Sequence, residues 1–350
     1  MTRKRVLLIG SQPQRMTRLR RTFRSLKELG VDVRIMLPMK KPDGRPRILK
    51  GIVRYLVLTL QIALAKADIY HFYNVPDVIG FPLVWKRGVF IYDVRSPWFS
   101  SIKESLGSNF LSKTAEIMER ILTMSADIVI GANYPLVDRA KRWKARRTIM
   151  IPNYPPATFG PTRERDEVRA SLGLTSQPTV LYLGKIAKIE GSELLKKIIL
   201  ESCNAIPDIR FMIVGDGPER VSVESFVAKM DLSKNVLMLG WIPHEEVANY
   251  INATDLCILP RKRDTFSPYT APENITKAAE YLAVGKPVIA PKIGGFAAAA
   301  FPVIAVEPDE MGSAVIDFLR NPSPVRDFEK PSWDESHRKL RSVYRYLQAI

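Results

Sequence analysis

The sequence predicts an α/β protein built from two consecutive doubly wound units, each a parallel sheet flanked by helices. Three observations carry that expectation. Short apolar runs alternate with amphipathic stretches along the whole chain, the pattern of parallel strands joined by helices. The alternation is interrupted once, by the Pro-rich PNYPPATFGP at 152–161, and then restarts. Finally, 350 residues exceed one usual domain, and 46% apolar with 25% charged residues is enough to bury two cores.

In the first half the strands read RVLLIG (5–10), DVRIMLP (32–38), IYHFYN (69–74), VFIYDV (89–94), DIVIGA (127–132) and TIMIPN (148–153). Each is short, rich in β-branched or aromatic residues and bounded by polar or turn residues. Helical segments fall between them. RLRRTFRSLKELG, for example, closes on Gly30, as helices often do. The most hydrophobic segment, IVRYLVLTLQIALA (52–65), contains Arg54 and Gln61 and is too short to span a bilayer. It reads as a buried helix of an α/β domain; the alternative is an interfacial helix flanked by Arg45, Arg47, Lys50 and Arg54. After the break the strands read TVLYLG (179–184), RFMIVG (210–215), VLMLGW (236–241), DLCILP (255–260), PVIAP (287–291) and VIAVE (303–307). The domains are therefore expected at about 1–155 and 156–331, with no repeat or coiled coil.

Net charge is +17, and its distribution is uneven. Residues 1–60 hold 16 Lys/Arg against 3 Asp/Glu, whereas the other 290 hold 37 against 33. A basic excess confined to the front implies an anionic partner there: a phosphorylated substrate, acidic lipid headgroups or nucleic acid. Cys203 and Cys257 share no metal-ligand spacing and read as two buried thiols in a reducing cytosol. MTRKRVLLIGS has only a short apolar run that meets more arginine, so no secretory signal is expected. The chain should be cytoplasmic, soluble or peripheral on a membrane.

In doubly wound sheets ligands bind outside the carboxyl ends of the strands, and with two sheets in the cleft between them. Residues just after each strand are the ones to read. There is no G-x-x-x-x-G-K-[ST] loop, no H-E-x-x-H, no G-x-S-x-G and no D-x-D pair, so a carboxylate-held metal is not expected. Gly215 and Gly217 in VGDGP form a tight strand-to-helix turn where a flat ring could approach the backbone. Gly184 ends a strand and is followed by Lys185 and Lys188, whose ammonium groups suit a diphosphate. LPRKRDTF places Arg261, Lys262 and Arg263 after another strand. In PENITKAAEYLAVGKPVIAP (272–291) a polar start leads into a helix whose first N–H groups suit a phosphate. Glu280 lies two turns in, within reach of the vicinal hydroxyls of a ribose.

These pieces occur in a familiar order. LYLGKIAKIEG, IRFMIVGDGPE, NVLMLGWIPHEEVANYINATDLCILP and ITKAAEYLAVGKPVIAPKIGG together resemble the nucleotide-sugar domain of GT-B fold glycosyltransferases, specifically glycosyltransferase family 4 (glycosyl transferases group 1). The likeness is strong over about 180–297, weaker at IPNYP, and resumes at SWDESHRKLRSVYRYL (332–347), similar to the family's terminal helix returning to the first domain. The resemblance implies that Glu280 holds the donor ribose. It sets Gly215 and Gly217 beside the base, with the backbone of Trp241 and Ile242 reading it. Lys185 is implied on the donor diphosphate, with 272–277, including Asn274, Thr276 and Lys277, cradling the phosphates.

The chain departs from the family in three places. Glu190 stands where a second phosphate lysine is usual, so Lys188 or Arg261–Arg263 would take over. Pro272 replaces a glutamate eight residues before Glu280, leaving Glu273, one place off, as the candidate at the sugar. Arg95 stands where many members carry a histidine, and an arginine cannot act as a base. Asp93, two residues earlier, and His71 in YHFYN are the remaining candidates for deprotonating an acceptor.

The expectation is thus a GT-B glycosyltransferase with two Rossmann-like domains facing a central cleft. It would use a nucleotide-diphosphate sugar of unspecified base, with no metal or other cofactor and no nucleic acid partner. Arg15, Arg18, Arg20 and Arg95 would meet an anionic, lipid-linked or other glycan acceptor at a membrane surface. The resemblance implies retention at the anomeric carbon; inversion with Asp93 as base is the alternative, as is a nucleotide-sugar epimerase or hydrolase on the same fold. A nucleic-acid-binding protein would use the basic front but leaves the ordered second-half motifs unexplained.

Overall fold

The computed structural model describes residues 4–11, 17–38, 47–297, 302–322 and 327–347. They divide into two compact units, one from residues up to Asn153 together with those from Asp334 onward, the other Tyr154–Trp333.

The first unit runs β1 (Arg5–Ile9), α1 (Thr17–Glu28), β2 (Asp32–Met36), α2 (Arg47–Leu64), β3 (Ile69–Tyr73), β4 (Val89–Val94), α3 (Trp98–Leu106), α4 (Asn109–Ser125), β5 (Ile128–Gly131), α5 (Tyr134–Arg142) and β6 (Thr148–Met150). Its strands lie in the order β2-β1-β3-β4-β5-β6, all parallel. A 3₁₀ segment at Asp77–Trp85 links β3 to β4 and packs against α2 and α4.

The second unit runs α6 (Arg165–Ser171), β7 (Thr179–Leu183), α7 (Ser192–Ala205), β8 (Arg210–Val214), α8 (Arg220–Lys229), β9 (Val236–Gly240), α9 (Val247–Asn252), β10 (Leu256–Ile258), α10 (Thr276–Val284), β11 (Val288–Pro291), β12 (Val303–Val306) and α11 (Met311–Arg320). The strand order is β12-β11-β10-β7-β8-β9, again all parallel. Here the winding reverses between β7 and β10, and at such a switch point the two outgoing loops diverge and leave a crevice. Alternation along β7 sends Val180 and Tyr182 to one buried face and Leu181 and Leu183 to the other, each covered by its own helix layer.

The twelve anticipated strands are all present; Val89–Val94 keeps its full expected length and the others are trimmed by a few residues at one or both ends. Helix α12 (Trp333–Tyr346) packs on the first unit through Ser336 Oγ on the Pro152 carbonyl (2.8 Å), and the Leu347 carbonyl after it accepts from Lys4 Nζ (2.7 Å). Both cysteines are buried and unpaired, and burial pushes the Cys203 thiol up to about 11 and that of Cys257 up to about 12.

One helix differs from expectation. The apolar 52–65 segment belongs to the longer α2, and only one of its faces is covered. Leu58 and Ile62 are fully buried, whereas Val53, Leu56, Leu60 and Leu64 form an exposed row. Spacings of three and four residues put that row on a single face. The anticipated flanking Arg45 lies outside the described residues, as do the side chains of Arg47 and Lys50.

Candidate functional site

The chemistry-bearing residues of the second unit gather where β7 and β10 release their chains. Gly184 follows β7 with φ of +137°, and its amide donates to the Val214 carbonyl (2.8 Å). The loop after it packs against the loop after β8, where Ile186 N donates to Asp216 O (3.0 Å) and Glu219 N to Ile186 O (3.1 Å). A Cβ on Gly215 would fall 1.9 Å from the Gly184 carbonyl, and one on Gly217 would fall 2.2 Å from that of Ile186. These glycines are required by contact between the two loops. The space anticipated for an approaching ring is, on that side, filled by backbone.

Three cations and one carboxylate meet beside Gly184. Lys277, in the first turn of α10, places Nζ so that a Cβ on Gly184 would lie 2.8 Å from it; the same Nζ stands 5.1 Å from the centre of the Tyr182 ring. Glu190 Oε2 lies 3.0 Å from Lys277 Nζ and 3.5 Å from Arg261 Nη1. Burial pushes the Glu190 carboxyl up, but Lys277 and Arg261 outweigh it and hold it below the usual glutamate range. At neutral pH the group is an ion pair bridged by a carboxylate. Lys185 is exposed nearby, its carbonyl accepting from Tyr182 Oη (2.8 Å), and exposed Lys188 opens the 3₁₀ turn that ends at Glu190.

The cluster expected after β10 is divided. Arg261 is buried and turned inward to Glu190, Arg263 is drawn away to Glu307 (2.6 Å), and Lys262 is exposed. Gly191 makes the inward course possible: with φ of +86°, a Cβ there would lie 1.4 Å from the Pro260 carbonyl, so the two loops touch backbone to backbone.

Helix α10 is fixed by its apolar face and by Tyr281, whose hydroxyl accepts from the Leu183 amide at the end of β7 (2.8 Å). Its opposite end stops at Gly285, φ +86°, a left-handed cap. Thr276, its first residue, is exposed, and Ile275 before it gives no side-chain cap. Asn274 staples the preceding loop instead, with Nδ2 donating to Tyr269 O (2.9 Å) and Oδ1 accepting from Ala271 N (2.8 Å). Glu273 is half-buried in the same loop. Glu280 is only 4% exposed, and its Oε1 lies 2.9 Å from His244 Nε2. A bond there orients the carboxylate whenever that ring nitrogen carries the proton. Trp241 stands exposed just past β9, and Ile242 packs into the core. Among the described residues no group of three or more His, Cys, Asp or Glu is arranged to hold a metal ion.

Reading along the chain does not reveal Glu190 and His244 as members of this site. Glu190 is visible there only as a departure from the expected lysine, and its carboxylate is matched by a lysine 87 residues later, at Lys277. His244 does begin a 3₁₀ turn as its sequence suggests, but nothing in that spacing announces its reach to Glu280.

In the first unit the candidates form a buried network. Asp93 is wholly buried, and Arg18 Nε bonds both its oxygens (3.0 and 2.9 Å) while Nη1 donates to the carbonyls of Ile151 and Pro152 (2.8 and 3.1 Å). His71, also wholly buried, sets Nε2 3.3 Å from Asp93 Oδ2 and Nδ1 2.8 Å from Tyr344 Oη of α12. Burial lowers the His71 pKa against the pull of Asp93 and keeps the ring neutral. Burial raises the Asp93 carboxyl, but Arg18 and His71 together hold it below the usual aspartate range. Arg18 is therefore a core residue, 2% exposed, and not the rim cation anticipated. Asp93 and His71 face each other inside the unit and do not present a surface-accessible base. Arg20 is exposed on α1; Arg95 is half-buried, its amide donating to Asn74 Oδ1 (3.0 Å). Arg15 lies outside the described residues.

Residues 164–329 match the family model described as glycosyl transferases group 1. A 2-deoxystreptamine glucosyltransferase of Streptomyces kanamyceticus is 27% identical over 168 residues, covering 46% of this chain and 41% of the relative. A phosphatidylinositol N-acetylglucosaminyltransferase subunit of Arabidopsis thaliana is 27% identical over 209 residues, covering 57% of this chain and 41% of the relative. The chain thus spans about two fifths of the length of these curated relatives. The solved sucrose-phosphate synthase of Thermosynechococcus elongatus superposes with a TM-score of 0.77 at 21% identity, over 99% of this chain and 100% of that one. The fold is therefore that of the GT-B enzymes, two Rossmann-like units.

Proposed function

We propose, from the premise that this chain belongs through residues 164–329 to the glycosyl transferases group 1, that it moves a sugar from a nucleotide-diphosphate donor to an acceptor hydroxyl. The observation that carries the reading is the convergence at the β7/β10 switch point of a buried carboxylate, Glu280, with Lys277, Arg261 and Lys185. A buried carboxylate held by His244 suits the two hydroxyls of a ribose. Three cations and the exposed start of α10 suit a diphosphate, whose charge grows as the glycosidic bond breaks. Gly184, Lys188, Gly215, Gly217, Asn274 and Thr276 would contribute backbone and loop shape, Trp241 and Ile242 the wall beside the base, and Glu273 a polar group near the sugar.

We infer retention at the anomeric carbon. An inverting route needs a base at the acceptor, and Asp93 is occupied by Arg18 and closed off from solvent. The first unit is assigned the acceptor, with Arg20 and Arg95 as the described cations for an anionic group.

For the acceptor we infer a lipid-linked or other anionic glycan met at a membrane surface, with the chain a peripheral protein on its cytoplasmic face. The exposed row Val53, Leu56, Leu60 and Leu64 supports this, on a helix with no acidic residue. Trp85, at the end of the 3₁₀ segment that packs against α2, is another large apolar side chain left 72% exposed. Such a face, in a chain whose first sixty residues carry most of the basic excess, fits an acidic bilayer. No helix among the described residues is long and apolar enough to cross a membrane.

The deciding experiment is a titration of UDP-, GDP- and ADP-sugars against the wild-type chain and Glu280→Ala. Loss of two bonds to a buried carboxylate should weaken the donor that binds by roughly a hundredfold. Unchanged affinity in a folded variant would remove the assignment. Release of free sugar without any acceptor would move the reading to a hydrolase.

A further inference from the structure

The carboxylate of Glu190 offers an anionic donor nothing to bind, yet it holds two of the site's cations. Its Oε2 bridges Lys277 Nζ at 3.0 Å and Arg261 Nη1 at 3.5 Å, and the three side chains are 22%, 13% and 10% exposed. It cannot withdraw far. Glu190 ends a 3₁₀ turn, and Gly191 after it is wedged against the Pro260 carbonyl. Lys277 is equally confined, between the Tyr182 ring, Gly184 and Glu190. An anion arriving at Lys277 and Arg261 must therefore share them with a resident negative charge or displace it.

We propose that Glu190 is a specificity-determining counter-anion of the diphosphate pocket, which makes the site favour a nucleoside diphosphate-sugar over the nucleoside diphosphate left after transfer. The inference rests on the reading of the second unit as the donor site. In the transfer, the bond between the anomeric carbon and the β-phosphate oxygen breaks, and its electron pair stays on that oxygen. A new bond forms from the anomeric carbon to the acceptor oxygen, whose proton is released. The donor is a diphosphate diester with about two negative charges. The product ends in a phosphate monoester whose second pKa lies near 6, so above neutral pH it carries about one charge more. That extra charge sits on the end of the diphosphate, where a fixed carboxylate repels it. The cationic role expected at position 190 is served from α10 by Lys277, and the acid left at 190 tempers the attraction that would otherwise retain the product.

This differs from a simple clamp on Lys277. A clamp, once removed, frees the lysine and weakens every anionic ligand. A counter-anion, once removed, strengthens them, and the most highly charged ligand most.

The test is calorimetric titration of the full chain at pH 8 with UDP, GDP and ADP and with UDP-glucose, GDP-mannose and ADP-glucose. Wild type is compared with Glu190→Gln. One unit charge a few ångströms away, discounted for the partial exposure of Glu190, predicts that the nucleoside diphosphate binds the variant roughly threefold to tenfold tighter. The matching sugar ester should tighten by a smaller factor. Weaker binding, unchanged binding or an equal gain for both ligands overturns the proposal while the donor reading stands. If wild type binds none of the six probes, the donor reading falls and this inference with it. Should Glu190→Gln fail to fold, Glu190→Asp draws the carboxylate back by one methylene, and product affinity must rise there in the same sense; no rise overturns the proposal.

Discussion

Replacing Arg18 by methionine separates the core reading of the Arg18–Asp93 pair from an anion-site reading. The guanidinium makes four bonds in a place that is 2% exposed, two to Asp93 and two to the carbonyls of Ile151 and Pro152. Methionine fills a similar volume but takes from Asp93 the guanidinium that bonds both its oxygens, leaving His71 in contact and Arg95 as the nearby cation. Removing one partner of a buried pair costs about 3–5 kcal/mol, because the other charge stays behind uncompensated. The two abandoned carbonyls add to this, although the contributions overlap. For a unit of this size 1 kcal/mol corresponds to about 2–4 °C, so the first unit should melt about 6–20 °C lower. Removing both charges, as Arg18→Met/Asp93→Leu, should restore much of the loss, since neither member of the pair is then left without the other. Calorimetry reads the transitions, and donor titration reports whether the second unit is untouched. A loss below about 1 kcal/mol, or a double variant no better than the single, would mean that Arg18 and Asp93 are not a mutually compensating core pair. If Arg18 instead bound an acceptor anion, the acceptor KM would rise with the melting point unmoved.

Two further outcomes are expected. His71 is buried and neutral with a lowered pKa, so the unfolded chain takes up a proton that the folded chain refuses; its contribution to stability is full above about pH 6.5 and is lost as pH falls below it. Urea unfolding between pH 8 and pH 5 should show that decline in wild type and less of it in His71→Gln, well above the range where Asp93 titrates; equal slopes would contradict it. Leu56→Ser/Leu60→Ser/Leu64→Ser removes exposed side chains only, so it should leave the melting point in place while vesicle co-sedimentation on phosphatidylglycerol falls by about tenfold or more. Unaltered sedimentation would dismiss the bilayer as the occupant of that face.

The strands are legible in the chain alone, because parallel strands buried on both faces must be short, apolar and β-branched, and VLYL or LCI can satisfy little else. The places where ligand residues can lie are legible too, since the loops leaving strand ends are named as soon as the strands are. The glycines read as tight turns. Their physical reason does not, because Gly215 and Gly217 accommodate carbonyls from a loop some thirty residues earlier.

Which charges are available was settled by folding. Arg18, Asp93 and His71 each have a plausible chemical role when read along the chain, and only in the folded unit do they come together and satisfy one another. Arg261 and Arg263 are two residues apart, yet one turns to Glu190 and the other to Glu307. The same holds for PENITKAAEYLAVGKPVIAP: its helix and its Gly285 stop follow from local propensity, whereas the partners of Lys277 and Glu280, Glu190 and His244, come from other loops. Local sequence specifies backbone because backbone hydrogen bonds and side-chain periodicity are short-range. Charge is long-range in its effects and is paired across elements distant in sequence, so its availability is known only once the sheet has set those elements side by side.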